Sequence, residues 1–109
     1  MSYNIELSDN FKKEAKKLCK KYASLKPELI ELFSKLEENP FLGTPLGNDI
    51  YKIRIAIASK NKGKSGGARI MSFVKITENQ ILLFSIFNKG DKNSISDSEI
   101  KDLLKDYET

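Results

Sequence analysis

Lys52 and Arg54 stand two apart in the alternating run Tyr51-Lys52-Ile53-Arg54-Ile55, so an extended strand projects both from one face. Arg69 opens a second such run, Arg69-Ile70-Met71-Ser72-Phe73. If the two runs pair as a hairpin, the three cations converge on one patch of sheet. No acidic residue lies between Asp49 and Glu78, yet the same stretch holds Lys52, Arg54, Lys60, Lys62, Lys64, Arg69 and Lys75. Such a patch binds a phosphodiester backbone through charge-assisted hydrogen bonds. The glycines at 63, 66 and 67 let the loop between the runs approach a phosphate closely. Phe73 and Phe87 can offer aromatic faces for base stacking, with core packing as the plainer reading of each.

These residue types suit one reaction on RNA, which carries its own nucleophile in the 2′-hydroxyl. A protein need only align that oxygen with the phosphate, move two protons and stabilise the dianionic transition state. Cations aimed at the developing charge do most of this, and removing one such donor commonly costs about 100-fold or more. Arginine stays protonated at any physiological pH and cannot serve as a base, so Arg54 and Arg69 are assigned to phosphate clamping and transition-state stabilisation. A lysine crowded by other cations loses proton affinity and can carry a proton. Lys52 and one of Lys60, Lys62 and Lys64 are the candidates for that role.

Composition narrows the alternatives. The chain has 109 residues, which reads as one domain over 1–109, and no histidine. Histidine acid–base chemistry and histidine metal ligands are therefore excluded. The lone cysteine, Cys19, excludes an internal disulfide and a Cys/His zinc site; it reads as a small buried helix residue. No metal or other cofactor is implied. Net charge is +4, and its uneven placement says more than its sum. No apolar run is long enough to span a membrane, and the N-terminus lacks the pattern of a secretory signal. A cytoplasmic protein is expected.

The elements that must position the cations follow from periodicity. Tyr3 to Leu7 alternates as a short strand. Ser8 or Asp9 can cap a helix whose buried face is Phe11, Ala15, Leu18, Tyr22 and Leu25. Lys12, Lys13, Lys16, Lys17, Lys20 and Lys21 cover much of its remaining surface. Pro27 suits the first turn of a second helix, which Asn39-Pro40 stops. A tight turn near Ser24 to Lys26 makes the two an antiparallel hairpin. Gly43, Pro45, Gly47 and Asn48 read as an irregular loop. Strands then run over Ile50 to Ala58, Ala68 to Ile76 and Gln80 to Asn88. The last is apolar on both faces and so central in the sheet. Ser96 and Glu99 have capping-box spacing ahead of a final helix reaching about Tyr107. The expected architecture is α+β in the order β-α-α-β-β-β-α, an antiparallel sheet packed on an N-terminal helical hairpin with a C-terminal helix.

One pattern misleads. Ala58-Ser59-Lys60-Asn61-Lys62-Gly63-Lys64-Ser65 fits a permissive phosphate-loop pattern, but a working phosphate loop opens a helix. Here Gly66-Gly67 and a β-like run follow.

The run Tyr51-Lys52-Ile53-Arg54, then Lys60-Asn61-Lys62-Gly63-Lys64-Ser65-Gly66-Gly67-Ala68-Arg69-Ile70, resembles the RelE/ParE toxin superfamily. The branch it looks most like is the HigB type, which carries a similar K-I-R…K-G-K-x-G-G-x-R-I run. Asn39-Pro40-x-x-Gly43 and Ile86-Phe87-Asn88-Lys89 fit as well. The resemblance implies the toxin of a type II toxin–antitoxin pair: a metal-independent endoribonuclease that enters the 30S A site of the ribosome and cleaves mRNA. It implies a cognate antitoxin, often of helix-turn-helix type, that occludes the basic face. It places catalytic basic residues at Lys52, Arg54 and Arg69. Where the RelE pattern has an arginine after the last strand, Lys89 or Lys92 stands. Where it has a C-terminal tyrosine, Ser96 stands, and the acidic or histidine pair of some HigB proteins has no counterpart. Catalysis is thus expected of Lys52, Arg54, Arg69 and Lys89, and RNA or phosphate contact of Lys60, Lys62, Lys64, Phe73 and Lys92. The first-helix lysines read as a solvated face, with ribosomal RNA or the antitoxin as alternative contacts. Two other functions compete: a ParE-like toxin that inhibits DNA gyrase without cutting RNA, and a non-catalytic RNA-binding module.

Overall fold

A computed structural model of the chain describes residues 3–60, 66–92 and 94–107. Strand β1 (Asn4–Leu7) leads into helices α1 (Asp9–Lys21) and α2 (Leu25–Glu38). Strands β2 (Thr44–Gly47), β3 (Ile50–Ile55), β4 (Ala68–Lys75) and β5 (Gln80–Asn88) follow, and α3 (Asp97–Leu104) closes the order. Among the described residues, no helix is long and apolar enough to cross a membrane.

The local signals act as expected. Ser8 caps α1, its hydroxyl accepting from the Phe11 amide at 3.0 Å. Leu25, Leu29, Leu32 and Leu36 form the buried stripe of α2, which ends at Asn39. Its first residue is Leu25, so the turn between the helices falls just ahead of the segment expected for it. Ser96 and Glu99 close the capping box that starts α3. That helix stops at Leu104, and Tyr107 follows in a turn whose amide donates to the Leu104 carbonyl.

The sheet differs from expectation in two respects. Residues 44–47, read as loop, form a short fifth strand antiparallel to β3. Pro45 and Gly47 hide it in the sequence, and an exposed edge strand is where a sheet tolerates them. The spatial order is β1-β5-β4-β3-β2. β1 pairs with β5 in parallel, so the sheet is mixed rather than wholly antiparallel. The helical hairpin carries the chain from β1 across to the far edge, and the meander returns β5 alongside β1 in the same direction.

Two apolar clusters sandwich this sheet. On one face Ile53, Ile57, Ile70, Ile81, Leu83 and Ile86 pack against Phe11 of α1 and the leucines of α2. On the other, Met71, Leu82, Phe84 and Phe87 meet Ile95 and then Ile100 and Leu104 of α3. α3 thus occupies one side of the sheet and the hairpin the other.

Candidate nucleic-acid interface

β3 and β4 pair with Arg54 directly opposite Arg69 and Lys52 opposite Met71. Opposed residues of an antiparallel pair share a face, so Lys52, Arg54 and Arg69 lie on one side of the sheet, away from the hairpin. Arg69 in turn stands opposite Phe87 of β5. A row runs from Arg54 through Arg69 to Phe87, and the Lys92 ammonium sits 5.1 Å above the Phe87 ring.

The members differ in access. Arg54 is exposed and Lys52 half-buried, whereas Arg69 is only 3% exposed. One guanidinium N–H of Arg69 donates to the Ala68 carbonyl at 3.2 Å. Burial, and secondly the charge of Arg54, push the Arg69 guanidinium below its usual range. The two groups therefore sense each other electrostatically. Among the described residues, no carboxylate lies within ion-pair distance of Lys52 or Arg54.

Glycine makes the hairpin base possible. A Cβ on Gly67 would lie 1.9 Å from the Ile55 carbonyl oxygen. Its missing side chain serves the crossing of β3 and β4 rather than approach to a ligand. Gly43, at φ +103, stacks in the same way on the Lys52 carbonyl, which a Cβ would meet at 2.5 Å. The Lys89 amide donates to the Gly67 carbonyl at 3.0 Å, which holds the segment after β5 beside the start of β4.

The remaining expected residues divide. Lys60 lies at the same end of the sheet, its ammonium bonded to the Asn88 side chain and 5.3 Å from the centre of the Tyr22 ring. Lys92 is paired with Glu99 at 3.5 Å, so part of its charge is already answered. Phe73 is not brought to the row; half-buried, it packs with the cluster beneath α3 and pairs with Ile50 and Leu82. Lys62 and Lys64 lie outside the described residues. Ser96 caps α3. Cys19 is half-buried against the hairpin-side core, and burial pushes its thiol up.

Sequence reasoning missed two supports. The first is a bulge. Met71 pairs with Ser85 but Ser72 with Leu83, so Phe84 is an extra residue in β5. Glu14 of α1 covers it: one carboxylate oxygen accepts from the Ser85 hydroxyl at 2.9 Å, the Ile86 amide at 3.2 Å and the Asn10 amide group at 2.8 Å. Asn10 also donates to the Phe84 carbonyl at 3.0 Å. The bulge resets the alternation so that Ile86 faces the hairpin and Phe87 faces Arg69. The second support pins the turn after β3. Glu28 accepts from the Ala58 amide at 2.8 Å, and Ser24 from the Ser59 amide at 3.0 Å. Neither Glu14 nor Glu28 breaks helical periodicity, so no sequence signal marked them.

Residues 9–107 match the family model described as the RelE toxin of the RelE / RelB toxin-antitoxin system. The chain belongs to the RelE toxin family. Solved RelE structures share its fold. The free E. coli toxin RelE, in a mutant with two arginines changed to alanine, aligns with a TM-score of 0.67 at 17% identity, over 99% of this chain and 100% of that one. The intact E. coli RelBE toxin–antitoxin complex aligns at 0.59 and 18% identity, over 78% of this chain and 94% of the matched one. The isolated E. coli RelE toxin aligns at 0.62 and 19% identity, over 95% and 98%. The RelE-like α+β architecture expected from the sequence is therefore the observed one.

Proposed function

We propose that this RelE-family toxin, a single domain over 1–109, is a metal-independent endoribonuclease that cleaves mRNA in the ribosomal A site. The observation that carries the reading is the facing pair Arg54 and Arg69, with Lys52 one step along the same strand face and no described carboxylate paired to Lys52 or Arg54. In the proposed reaction the 2′-oxygen attacks the adjacent phosphorus, the 5′-oxygen leaves, and a 2′,3′-cyclic phosphate forms. Exposed Arg54 receives the phosphate, and buried Arg69 behind it deepens the positive potential where the dianion develops. Lys52 is the candidate carrier of the proton taken from the 2′-hydroxyl or given to the leaving oxygen. Lys89 stands for the post-sheet cation of the RelE pattern. Lys60, Lys62, Lys64 and Lys92 are assigned to flanking phosphates; the base contact expected of Phe73 is not carried forward, because that ring packs beneath α3. The K-I-R…K-G-K-x-G-G-x-R-I run supports a HigB-type branch within the family.

The solved relatives include RelE bound to its antitoxin RelB, which supports an antitoxin as this chain's partner too. A helix-turn-helix protein is the type proposed, with the cytoplasm, where ribosomes are, as the site of action.

A translation reaction with purified ribosomes and one defined mRNA tests the reading by primer extension. Wild-type chain is expected to cut within the message, and Arg69→Ala to lower the rate by about 100-fold. Message left intact by folded wild-type protein overturns the nuclease reading.

A further inference from the structure

We infer that Asn88 is a positioning residue, one that fixes the Lys60 ammonium over the Tyr22 ring so that it meets a phosphate flanking the cleaved one. The inference rests on the nuclease reading above and names what holds its Lys60 phosphate contact in place.

Asn88 ends β5 and is 5% exposed. Its buried side-chain amide makes three hydrogen bonds, and each partner comes from a different segment. The side-chain oxygen accepts from the Lys60 ammonium and from the Gly90 amide at 3.3 Å. The side-chain NH2 donates to the Tyr22 hydroxyl at 3.2 Å. One residue thus joins α1, the turn after β3 and the loop after β5. The turn that carries Lys60 is itself held on α2 by Ser24 and Glu28, so the backbone beneath the lysine is also fixed.

What holds Lys60 matters as much as where. Its two described contacts, an amide oxygen and a ring face, are both uncharged. An ammonium has three donors, and neutral partners leave its charge whole for a phosphate. Lys92 contrasts, since Glu99 neutralises it in part. Fixing a long lysine in advance lowers the entropy it would lose on binding RNA. Asn88 alternates with Phe87 along β5, so it points to the hairpin side while Phe87 faces Arg69. Lys60 therefore stands round the end of the sheet from the Arg54–Arg69 pair. That location suits a neighbouring phosphate on a strand that wraps the sheet end.

Asn88→Asp tests this with little change of shape. The carboxylate would still accept from Lys60 and Gly90, and the Tyr22 hydroxyl can turn to donate. Lys60, however, would be neutralised. Binding of a single-stranded 2′-O-methyl RNA, which cannot be cut, is followed by anisotropy across salt concentrations. N88D is expected to flatten the salt slope by about 0.7, one phosphate contact on a single strand. In the ribosome assay it should raise KM about fivefold at 0.1 M salt, the same contact's worth, while kcat holds. Lys60→Ala should do the same. An unchanged slope in N88D overturns the inference. Asn88→Ala adds no charge and removes only the tether, so it makes the cycle whether or not N88D folds. Lys60→Ala should cost less in that background than in the wild type, and an equal cost overturns the inference. Intact message with a flattened slope in N88D would sink the nuclease reading alone. Normal cutting with an unmoved slope would sink the role of Asn88 alone.

Discussion

Arg54 and Arg69 face each other across the β3–β4 ladder, like charges at directly opposed positions. Such a pair costs stability, about 0.2–1 kcal/mol on cross-strand scales, and here one partner is buried as well. An anion placed between them offsets that cost. Thermal unfolding in rising phosphate should therefore raise the Tm of the wild type more than that of Arg54→Gln. In low salt without phosphate, Arg54→Gln should melt at or above the wild type. Equal phosphate responses in the two proteins would show that the pair does not form the anion site.

Gly67 is the point where the hairpin carrying those arginines closes. An added Cβ would sit 1.9 Å from the Ile55 carbonyl oxygen, far inside contact distance. The obstacle is backbone in a paired strand, so neither side can move away without breaking the ladder. Gly67→Ala should destabilise by about 3 kcal/mol or more, read as a shift in the urea midpoint. By contrast Gly90→Ala, whose Cβ would come no nearer than 3.8 Å to anything, should unfold close to the wild type.

The hairpin and its cations were legible because strand alternation is a local signal: Lys52, Arg54 and Arg69 each alternate with an isoleucine that enters the core. Ser8, Asn39-Pro40 and the Ser96–Glu99 box worked for the same reason, since each acts within a few residues. Three features were not legible. β2 is built on Pro45 and Gly47, residues that ordinarily signal a turn, and only pairing with β3 makes it a strand. The direction of β1 depends on which edge the helical hairpin reaches. Arg69 alternates as an outward residue would, yet it is hidden; its depth comes from neighbours distant in the chain. Phe73 shows the converse limit. Alternation put it on the cationic face, but it stands four positions along the strand from Arg69, and α3 covers that end.

Glu14 links the first helix to the alignment of the row. Its carboxylate oxygen accepts three hydrogen bonds at the β5 bulge, two of them from β5 itself. Glu14→Ala leaves the Ser85 hydroxyl and the Ile86 amide without that acceptor. Stability should fall by about 2 kcal/mol, in the range for hydrogen bonds to a charged group. Because the bulge sets Phe87 opposite Arg69, RNA cleavage should fall as well at temperatures where the variant is still folded. Glu14→Gln keeps an acceptor oxygen and should recover most of both losses. If Glu14→Ala is as stable as the wild type, the bulge is held by β4 and β5 alone.

Glu99 ties α3 to the loop above Phe87, and it makes that attachment sensitive to acid. The Ser96 amide donates to its carboxylate at 3.3 Å, and Lys92 lies 3.5 Å away. The Ser96 backbone bond first, and the Lys92 charge second, hold the Glu99 carboxyl below its ordinary value of 4.5. A carboxyl depressed in the folded state stabilises fully above its unfolded value, and that contribution is lost as pH falls through the folded one. Protection of the Ile100 amide, which bonds the Ser96 carbonyl in the first turn of α3, should therefore drop as pH falls below the ordinary carboxylate range and through the depressed folded-state value. Glu99→Gln can still accept from Ser96 but neither titrates nor pairs with Lys92. Its Ile100 protection should lose that acid step and begin lower at neutral pH. An acid step of equal size in Glu99→Gln would assign it to another carboxyl, with Asp97 in the same first turn the next to test.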